Sequence, residues 1–149
     1  MARLRDELMR MKPEVYPQTV EIRTTYADID SFEHLNNVAI ARFFEEGRAT
    51  MNMSLFGVDA VVRPTSSLQL VLANVTIDYV SSGEYPGMVS VGTAVSQIGS
   101  TSYVQSAALF QRGRCLAVCD AVTVYAIDGK PTALPADTVS TLKRLKLKV

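Results

Sequence analysis

The chain has 149 residues, the usual size of one domain, and 48% of them are hydrophobic, which is enough to build a substantial core. Fifteen basic and fifteen acidic residues leave no formal net charge, so the composition argues against a nucleic-acid partner. No apolar run approaches the ~20 residues needed to span a bilayer, so no membrane partner is expected. We therefore predict one domain over residues 1–149.

The N-terminal segment, residues 1–16, is interpreted as an arm of the domain with a structural rather than a functional role. Leu4, Leu8 and Met11 share one side of a possible short helix over residues 3–11, and two prolines then interrupt the chain. Charged residues stand where a signal peptide would carry its apolar region. A cytoplasmic protein is therefore expected.

The two cysteines agree with a cytoplasmic location. If Cys115 and Cys119 lie in one strand, their Cα atoms are about 13 Å apart, which is beyond the reach of a disulfide. We expect both thiols to be free and packed in the core.

A half-buried strand is predicted over residues 19–25, because Val20 and Ile22 alternate there with polar residues. The strand leads directly into a polar segment, residues 26–37. This segment holds two aspartates, the only histidine and two adjacent asparagines.

A long helix is predicted over residues 37–55. Apolar residues recur along it at helical spacing and form one stripe: Ile40, Phe44, Gly47, Met51 and Leu55. Asn36 or Asn37 is a natural N-cap for this helix. Gly47 costs roughly 1 kcal/mol relative to alanine in a helix, and the expected reason for a glycine is a sheet packed closely against it. A loop is predicted at Arg63 and Pro64.

Four long strands are predicted after the helix, over residues 68–79, 88–98, 102–111 and 115–127. Strict alternation in the first of them places five side chains on one face: Val71, Ala73, Val75, Ile77 and Tyr79. Short loops join the strands and favour antiparallel pairing. One long helix and a meander of strands predict an α+β architecture.

The last residues, 141–149, form a basic amphipathic tail. We interpret it as a solvated end with a few packed leucines. Contact with the phosphates of a coenzyme A is the alternative.

Chemistry is expected where the polar segment meets the start of the helix. A helix start offers free backbone N–H groups and a partial positive charge, which suit a developing oxyanion. Asp30, His34 and Asn37 would bring an acid, an imidazole and a backbone donor to this place. Asp28 is expected to be exposed or part of the turn, with no chemical step.

The spacing Asp30-x-x-x-His34-x-Asn36-Asn37 resembles the Asp-x-x-Gly-His-x-Asn-Asn signature of hot-dog-fold acyl-CoA thioesterases. The branch is the one typified by 4-hydroxybenzoyl-CoA thioesterase. The resemblance extends over roughly residues 17–140, although only the motif is specific.

Two residues depart from that family pattern. Glu33 stands where the family usually has glycine, and glutamate does not share the tolerance of glycine for positive φ. The loop is therefore expected to run differently. Ile40 stands where a tyrosine is common, so a hydroxyl contact to the substrate is not expected from this position.

The resemblance implies a hot-dog fold, with an antiparallel sheet wrapped around one long central helix. It implies an enzyme without cofactor or metal that hydrolyses an acyl-CoA thioester to a carboxylic acid and free CoA. It also implies a homodimer or homotetramer. The alternatives are an acyl-carrier-protein thioesterase, a non-catalytic acyl-thioester-binding protein, and a dehydratase of 3-hydroxyacyl thioesters.

Each site residue has a role under this resemblance and a plainer alternative. Asp30 is assigned as nucleophile or general base, but it is alternatively a cap or turn residue. His34 orients Asp30, bonds the substrate carbonyl, or only holds the loop. The backbone N–H of Asn37 is directed at the thioester oxygen. Asn36 and Glu45 are assigned to substrate binding, and Glu45 is otherwise an ion-paired residue or a substitute base.

Overall fold

The computed structural model describes residues 3–63 and 67–149. Its helices and longer strands are, in chain order, β1 (Gln18–Arg23), α1 (Asn37–Phe56), α2 (Val58–Val62), β2 (Leu68–Tyr79), β3 (Met88–Ile98), β4 (Ser102–Gln111), β5 (Arg114–Ile127), β6 (Lys130–Pro131) and α3 (Ala136–Arg144). Short 3-10 helices span Leu4–Asp6, Leu8–Met11, Pro13–Val15 and Tyr26–Asp28. Residues 1–2 of the predicted arm and Pro64 of the predicted loop lie outside the described residues.

The strands form one antiparallel sheet in the order β1-β3-β4-β5-β2, and β6 pairs with the end of β5. Helix α1 lies along one face of this sheet. Phe43 and Phe44 of the helix are at most 1% exposed and share a core with Val91, Leu109 and Ala117 of three neighbouring strands. Burial of each phenylalanine side chain contributes about 1.5–3 kcal/mol. The predicted hot-dog architecture is confirmed.

The elements lie close to their predicted positions. Strands β2, β3 and β4 have the predicted bounds, while α1 is one residue longer and β5 begins one residue earlier. Strand β1 ends at Arg23, two residues before its predicted end, because the chain turns there into the Tyr26–Asp28 helix. Among the described residues, no helix is long and apolar enough to cross a membrane.

The predicted faces of β2 are wrong in its second half. The register of the β2–β5 pairing shifts between Leu72 and Asn74, so a bulge interrupts the alternation. Ile77 follows the bulge, pairs with Cys119 and packs against the α1 core. Val71, which was predicted to share a face with Ile77, precedes the bulge and is 45% exposed. A bulge of one residue exchanges the two faces beyond it.

The predicted helix over residues 3–11 is also wrong. This stretch forms two separate 3-10 helices, and Leu8 is 73% exposed instead of sharing a packed side with Leu4 and Met11. The buried side chain is Arg10, which is 3% exposed. Its guanidinium determines how the arm packs.

The arm lies on the face of the sheet opposite α1 and is attached there by a buried ion pair. Nη2 of Arg10 donates to Oδ1 of Asp120 at 2.5 Å and to the carbonyl oxygen of Cys119 at 3.0 Å. The hydroxyl of Ser106 donates to the same carboxylate oxygen at 2.6 Å. Tyr16 donates its hydroxyl to the carbonyl of Arg10 at 2.7 Å. The arm is therefore part of the packed structure.

The C-terminal segment contains a helix, α3, that the sequence interpretation did not include. Leu142 of α3 is fully buried, and Leu145 and Leu147 are packed against the cores, while Lys143 is exposed. Lys146 forms a parallel bridge with Val95 at the sheet. The packed leucines and exposed basic residues agree with the amphipathic interpretation.

Cys115 and Cys119 are free thiols in β5, 7% and 1% exposed. The predicted core packing of both is confirmed. Burial raises the pKa of Cys115 to about 11 and that of Cys119 to about 12. Both thiols are therefore protonated and inaccessible at neutral pH.

The close approach of the sheet to Gly47 gives the first testable prediction. A Cβ atom on Gly47 would lie 2.7 Å from Cγ1 of Val91 and 3.1 Å from Cγ2 of Thr93. Gly47→Leu should therefore overpack the helix–sheet interface and lower the free energy of unfolding by roughly 1–3 kcal/mol, measured by urea denaturation. Ala41→Leu, at an exposed position of the same helix, is the control. Equal midpoints for Gly47→Leu and wild type would contradict the close packing.

Candidate active site

The start of α1 is defined by an asparagine cap. Asn36 is the N-cap, and its Oδ1 accepts a hydrogen bond from the backbone N–H of Ala39 at 2.7 Å. The sequence allowed either Asn36 or Asn37 as the N-cap, and this hydrogen bond identifies Asn36. Asn37 is the first residue of the helix and is exposed, so its N–H belongs to the first turn, which has no carbonyl partner within the helix.

Asp30 closes a tight turn immediately before that helix. Its Oδ1 accepts hydrogen bonds from the backbone N–H groups of Phe32 at 2.8 Å and His34 at 3.2 Å. The backbone N–H of Asp30 donates to the carbonyl of His34 at 2.9 Å. The Oδ1 atom of Asp30 therefore closes the turn. Within the described part of the chain, its Oδ2 receives no hydrogen bond, so this oxygen is available to a ligand.

Asp30 and His34 lie in one cleft of ≈590 Å³. The other lining residues are Tyr26, Ile29, Ser31, Phe32, Glu33, Glu84 and Tyr85. The contact between His34 and the carboxylate is made by the backbone N–H. The exposed imidazole shares the cleft without a hydrogen bond to Asp30 among the described contacts. The acid and the imidazole therefore line the same cleft, and only the backbone of His34 bonds the carboxylate.

Sequence reasoning missed the aromatic and acidic walls of this cleft. Tyr26 and Phe32 line the cleft and are 74% and 78% exposed. The sequence signal for them was the presence of two aromatic residues within a polar segment. Tyr26 packs edge to face with Tyr85, with ring centroids 6.1 Å apart. Tyr85 and Glu84 come from the β2–β3 loop, which no local pattern connects with the motif.

The β2–β3 loop is held against the motif by Gly83. Its carbonyl accepts a hydrogen bond from the backbone N–H of Leu35 at 3.0 Å. A Cβ atom on Gly83 would lie 2.6 Å from side-chain carbons of Leu35 and Leu116. Only a glycine permits this approach, which places the second wall of the cleft.

Asp28 was expected to be exposed or part of the turn, and the structure bears out the turn but not the exposure. Its side chain lies in the turn but is only 3% exposed, because the Tyr26–Asp28 helix folds it under the start of α1. Its Oδ2 accepts a hydrogen bond from the backbone N–H of Thr25 at 2.7 Å. Its Oδ1 is paired with the guanidinium of Arg42.

The sequence profile of the thioesterase-like superfamily matches residues 24–142, which include the Asp30 turn, α1 and strands β2 to β5. The chain belongs to the thioesterase-like superfamily. None of the curated proteins with which the sequence was compared matches it.

Solved structures share the fold of this superfamily member. A protein from Pseudomonas aeruginosa is 24% identical, with a TM-score of 0.83 over 94% of this chain and 99% of that one. A predicted thioesterase from Bacillus stearothermophilus is 26% identical, with a TM-score of 0.76 over 88% and 97%. A thioesterase from Thermus thermophilus, solved with coenzyme A and Zn, is 20% identical, with a TM-score of 0.76 over 86% and 98%. The expected thioester-hydrolase class is confirmed.

The two departures from the superfamily motif have different consequences. Glu33 has a φ of 63°, so the backbone keeps the left-handed conformation that a glycine would favour, at a cost of roughly 1–2 kcal/mol. The expected change of loop path is not seen at this residue. Ile40 is 3% exposed and belongs to the α1 core, so it offers no polar contact to a substrate.

Glu45 lies in a different cleft of this thioesterase-like chain. That cleft has a volume of ≈360 Å³ and lies between α1, α2 and β2. Its lining residues are Glu45, Arg48, Ala49, Asn52, Ala60, Val61, Leu70, Leu72 and Thr123. Glu45 therefore does not share a cleft with Asp30 in one chain. The expected ion pairing of Glu45 is wrong for the described residues, since none of their salt bridges includes Glu45. The guanidinium of Arg42, one candidate partner, is paired with Asp28.

The site of this superfamily member contains acid–base groups but no evident metal ligand set. In residues 3–63 and 67–149, no group of three histidine, cysteine or acidic side chains is arranged to hold a metal ion. The Asp30 cleft offers a carboxylate held at one oxygen and an exposed imidazole. The start of α1, at Asn36, Val38 and Ala39, lines a separate cleft. The groups of the Asp30 cleft suit proton transfer.

Proposed function

We propose that this protein is an acyl-CoA thioesterase in which Asp30 supplies the reacting carboxylate. The observation that supports this role is the asymmetry of its two oxygens. Oδ1 is held by the N–H groups of Phe32 and His34, whereas Oδ2 is left for a water molecule or a substrate. A carboxylate oriented in this way is positioned before the substrate arrives.

The proposed chemistry needs only groups of the chain and water. As a general base, Asp30 takes a proton from water while the water oxygen attacks the thioester carbonyl. The tetrahedral intermediate then expels the thiolate of CoA, which takes up the proton, and the carboxylic acid is released. As a nucleophile, Asp30 attacks the thioester carbonyl and the C–S bond breaks, which releases the CoA thiolate and leaves a mixed anhydride. Water then hydrolyses the anhydride to the carboxylic acid and the free Asp30 carboxylate, and the thiolate takes up the proton released from the water. The N–H groups at Asn37 are proposed to stabilise the oxyanion, a contribution of roughly 3 kcal/mol.

His34, Asn36 and Glu45 have supporting roles in this proposal. His34 is placed in the Asp30 cleft and is suited to bond the substrate. Asn36 holds the first turn of α1 in place through its cap. Glu45 is proposed to contact the substrate from its own cleft and is the substitute base. A solved relative carries bound coenzyme A, which supports a CoA thioester as the substrate.

The test is a thiol-trapping assay with short-chain, long-chain and aromatic acyl-CoAs. Release of thiol supports the thioesterase, whereas loss of water without thiol indicates a dehydratase of 3-hydroxyacyl thioesters. Binding without either product indicates a non-catalytic binder. If the acyl-CoAs are not hydrolysed but a thioester carried by an acyl-carrier protein is, the protein is the carrier-specific enzyme. Cys115 and Cys119 are buried and should add no background signal.

These free thiols also support the proposed cytoplasmic location.

We propose that the protein is a homodimer or homotetramer assembled through β2. This strand is the outer strand of the sheet on its side, and Val71, Leu72, Val75 and Tyr79 are 38–47% exposed. A long apolar edge strand of this kind requires a cover. Light scattering at micromolar concentration should therefore show at least twice the mass of one chain. A fully active monomer would contradict this assembly.

A further inference from the structure

We infer that Asp28 and Arg42 are positioning residues for the reaction. Their ion pair fixes the Asp30 turn relative to the first turn of α1. This inference rests on the proposed function, since it assumes that Asp30 reacts and that the helix start holds the oxyanion. Neither residue is assigned any contact with the substrate.

The first argument is the burial of Asp28. A carboxylate that is 3% exposed is costly to keep charged unless it is paired and hydrogen-bonded. Arg42 supplies the charge partner from α1, and Thr25 supplies a backbone N–H. The guanidinium of Arg42 is also held 5.3 Å from the ring centre of Phe43, a core residue of α1. The pair therefore joins the turn to a rigid part of the helix.

The second argument is the place of Asp28 in the backbone. Its carbonyl accepts the N–H of the cap residue Asn36 at 2.8 Å. Ile29 forms a bridge with Leu35 just inside that bond. The Asp30 turn is thus a small loop with both ends joined next to Asp28. Since Asp28 is attached to Arg42, the place of this loop relative to the helix depends on the ion pair.

The third argument separates Asp28 from the reacting carboxylate. Both oxygens of Asp28 are occupied, one by Thr25 and one by Arg42. Asp30 keeps one free oxygen and lies in the larger cleft. Asp28 instead lines a separate cleft of ≈220 Å³ with Arg42 and Asn36. A positioning role is therefore the one that its contacts support.

The test compares Arg42→Met, Arg42→Lys and Asp28→Asn with wild type. Arg42→Met keeps the stem and removes the charge. The expected result is a loss of roughly 10–100-fold in kcat, because a displacement of about 1 Å can cost 10²-fold, while KM changes little. Arg42→Lys should recover most of the rate. The double variant, Asp28→Asn with Arg42→Met, should lose no more than the worse single variant, because both act through one interaction.

The control is Arg63→Met, which breaks an exposed ion pair with Asp59 on α2 and should leave kcat unchanged. A second readout is independent of activity. His34 is the only histidine of the chain, so its C2 proton gives one NMR signal from within the loop. This signal should shift in Arg42→Met and stay in place in Arg63→Met.

The outcomes separate this inference from the proposed function. If wild type hydrolyses thioesters and Arg42→Met keeps the wild-type kcat, the positioning role is overturned while the thioesterase stands. If wild type releases no thiol, the proposed function fails. In that case an unchanged His34 signal in Arg42→Met also overturns the positioning of the loop, whereas a shifted signal supports it. A kcat loss that Arg42→Lys does not reduce contradicts a role for the charge.

Discussion

Replacing Asp30 by asparagine is expected to lower kcat by roughly 10²–10⁴-fold, the share that a positioned general base contributes. The reason is chemical, since the amide has neither the basicity nor the nucleophilicity of the carboxylate. KM should change little, because the proposed role of Asp30 lies in the chemical step. Initial rates with the best acyl-CoA from the thiol-release assay provide the measurement.

The structure indicates that Asp30→Asn will stay folded. An asparagine oxygen can still accept the N–H groups of Phe32 and His34 that Oδ1 now accepts. Melting temperatures recorded beside the rates separate lost catalysis from a lost turn, which could cost about 1 kcal/mol. Glu46→Gln, at an exposed position of α1, is the matched control for loss of one negative charge.

A folded Asp30→Asn protein with a rate near wild type would show that Asp30 is only a turn residue. Glu45→Gln would then be the next variant, although Glu45 lies in another cleft. A large loss in Glu45→Gln, together with an active Asp30→Asn, would transfer the role of base to the helix carboxylate.

Replacing Asp120 by alanine is expected to produce the largest loss of stability, about 3 kcal/mol in the free energy of unfolding. The substitution removes the nearer charge partner of the Arg10 guanidinium, which is 3% exposed, and leaves only Glu7 at 4.0 Å. It also removes the acceptor of the Ser106 hydroxyl. The expected value is at the lower end for a broken buried pair, because the Asp120 side chain is 27% exposed. Urea denaturation measures it.

Two further variants test whether the Arg10–Asp120 pair itself is responsible. Asp59→Ala breaks an ion pair whose partners are 70% and 78% exposed, and should cost less than about 1 kcal/mol. Arg10→Met combined with Asp120→Ala should be more stable than Asp120→Ala alone, since no unpaired charge is then buried. If Asp120→Ala unfolds like wild type, the arm is not attached through this pair.

The local elements were predictable because their signals are local. The stripe that contains Ile40 and Phe44 specifies α1 by its spacing, and the turn residues between the strands set the bounds of three of them. The cap was narrowed to Asn36 or Asn37 by residue type alone. The motif located Asp30 and His34, and the structure places both in one cleft.

The rest of the site depends on segments that are distant in the chain. Glu84 and Tyr85 form a wall only because Gly83 lets the β2–β3 loop approach Leu35. A local sequence pattern describes residues that are close in the chain. It does not predict which distant loop will pack against them. The missing wall therefore had no local signal.

The sequence by itself determined the order and type of the main elements, the cap region and the acid–imidazole motif, because each follows from spacing within a few residues. Tertiary structure alone decided that Asp28 is buried, that Arg42 pairs with it, and that the faces of β2 exchange at the bulge after Leu72. Burial and charge pairing depend on the distance between side chains of different segments. That distance exists only once the helix, the turn and the sheet have packed together.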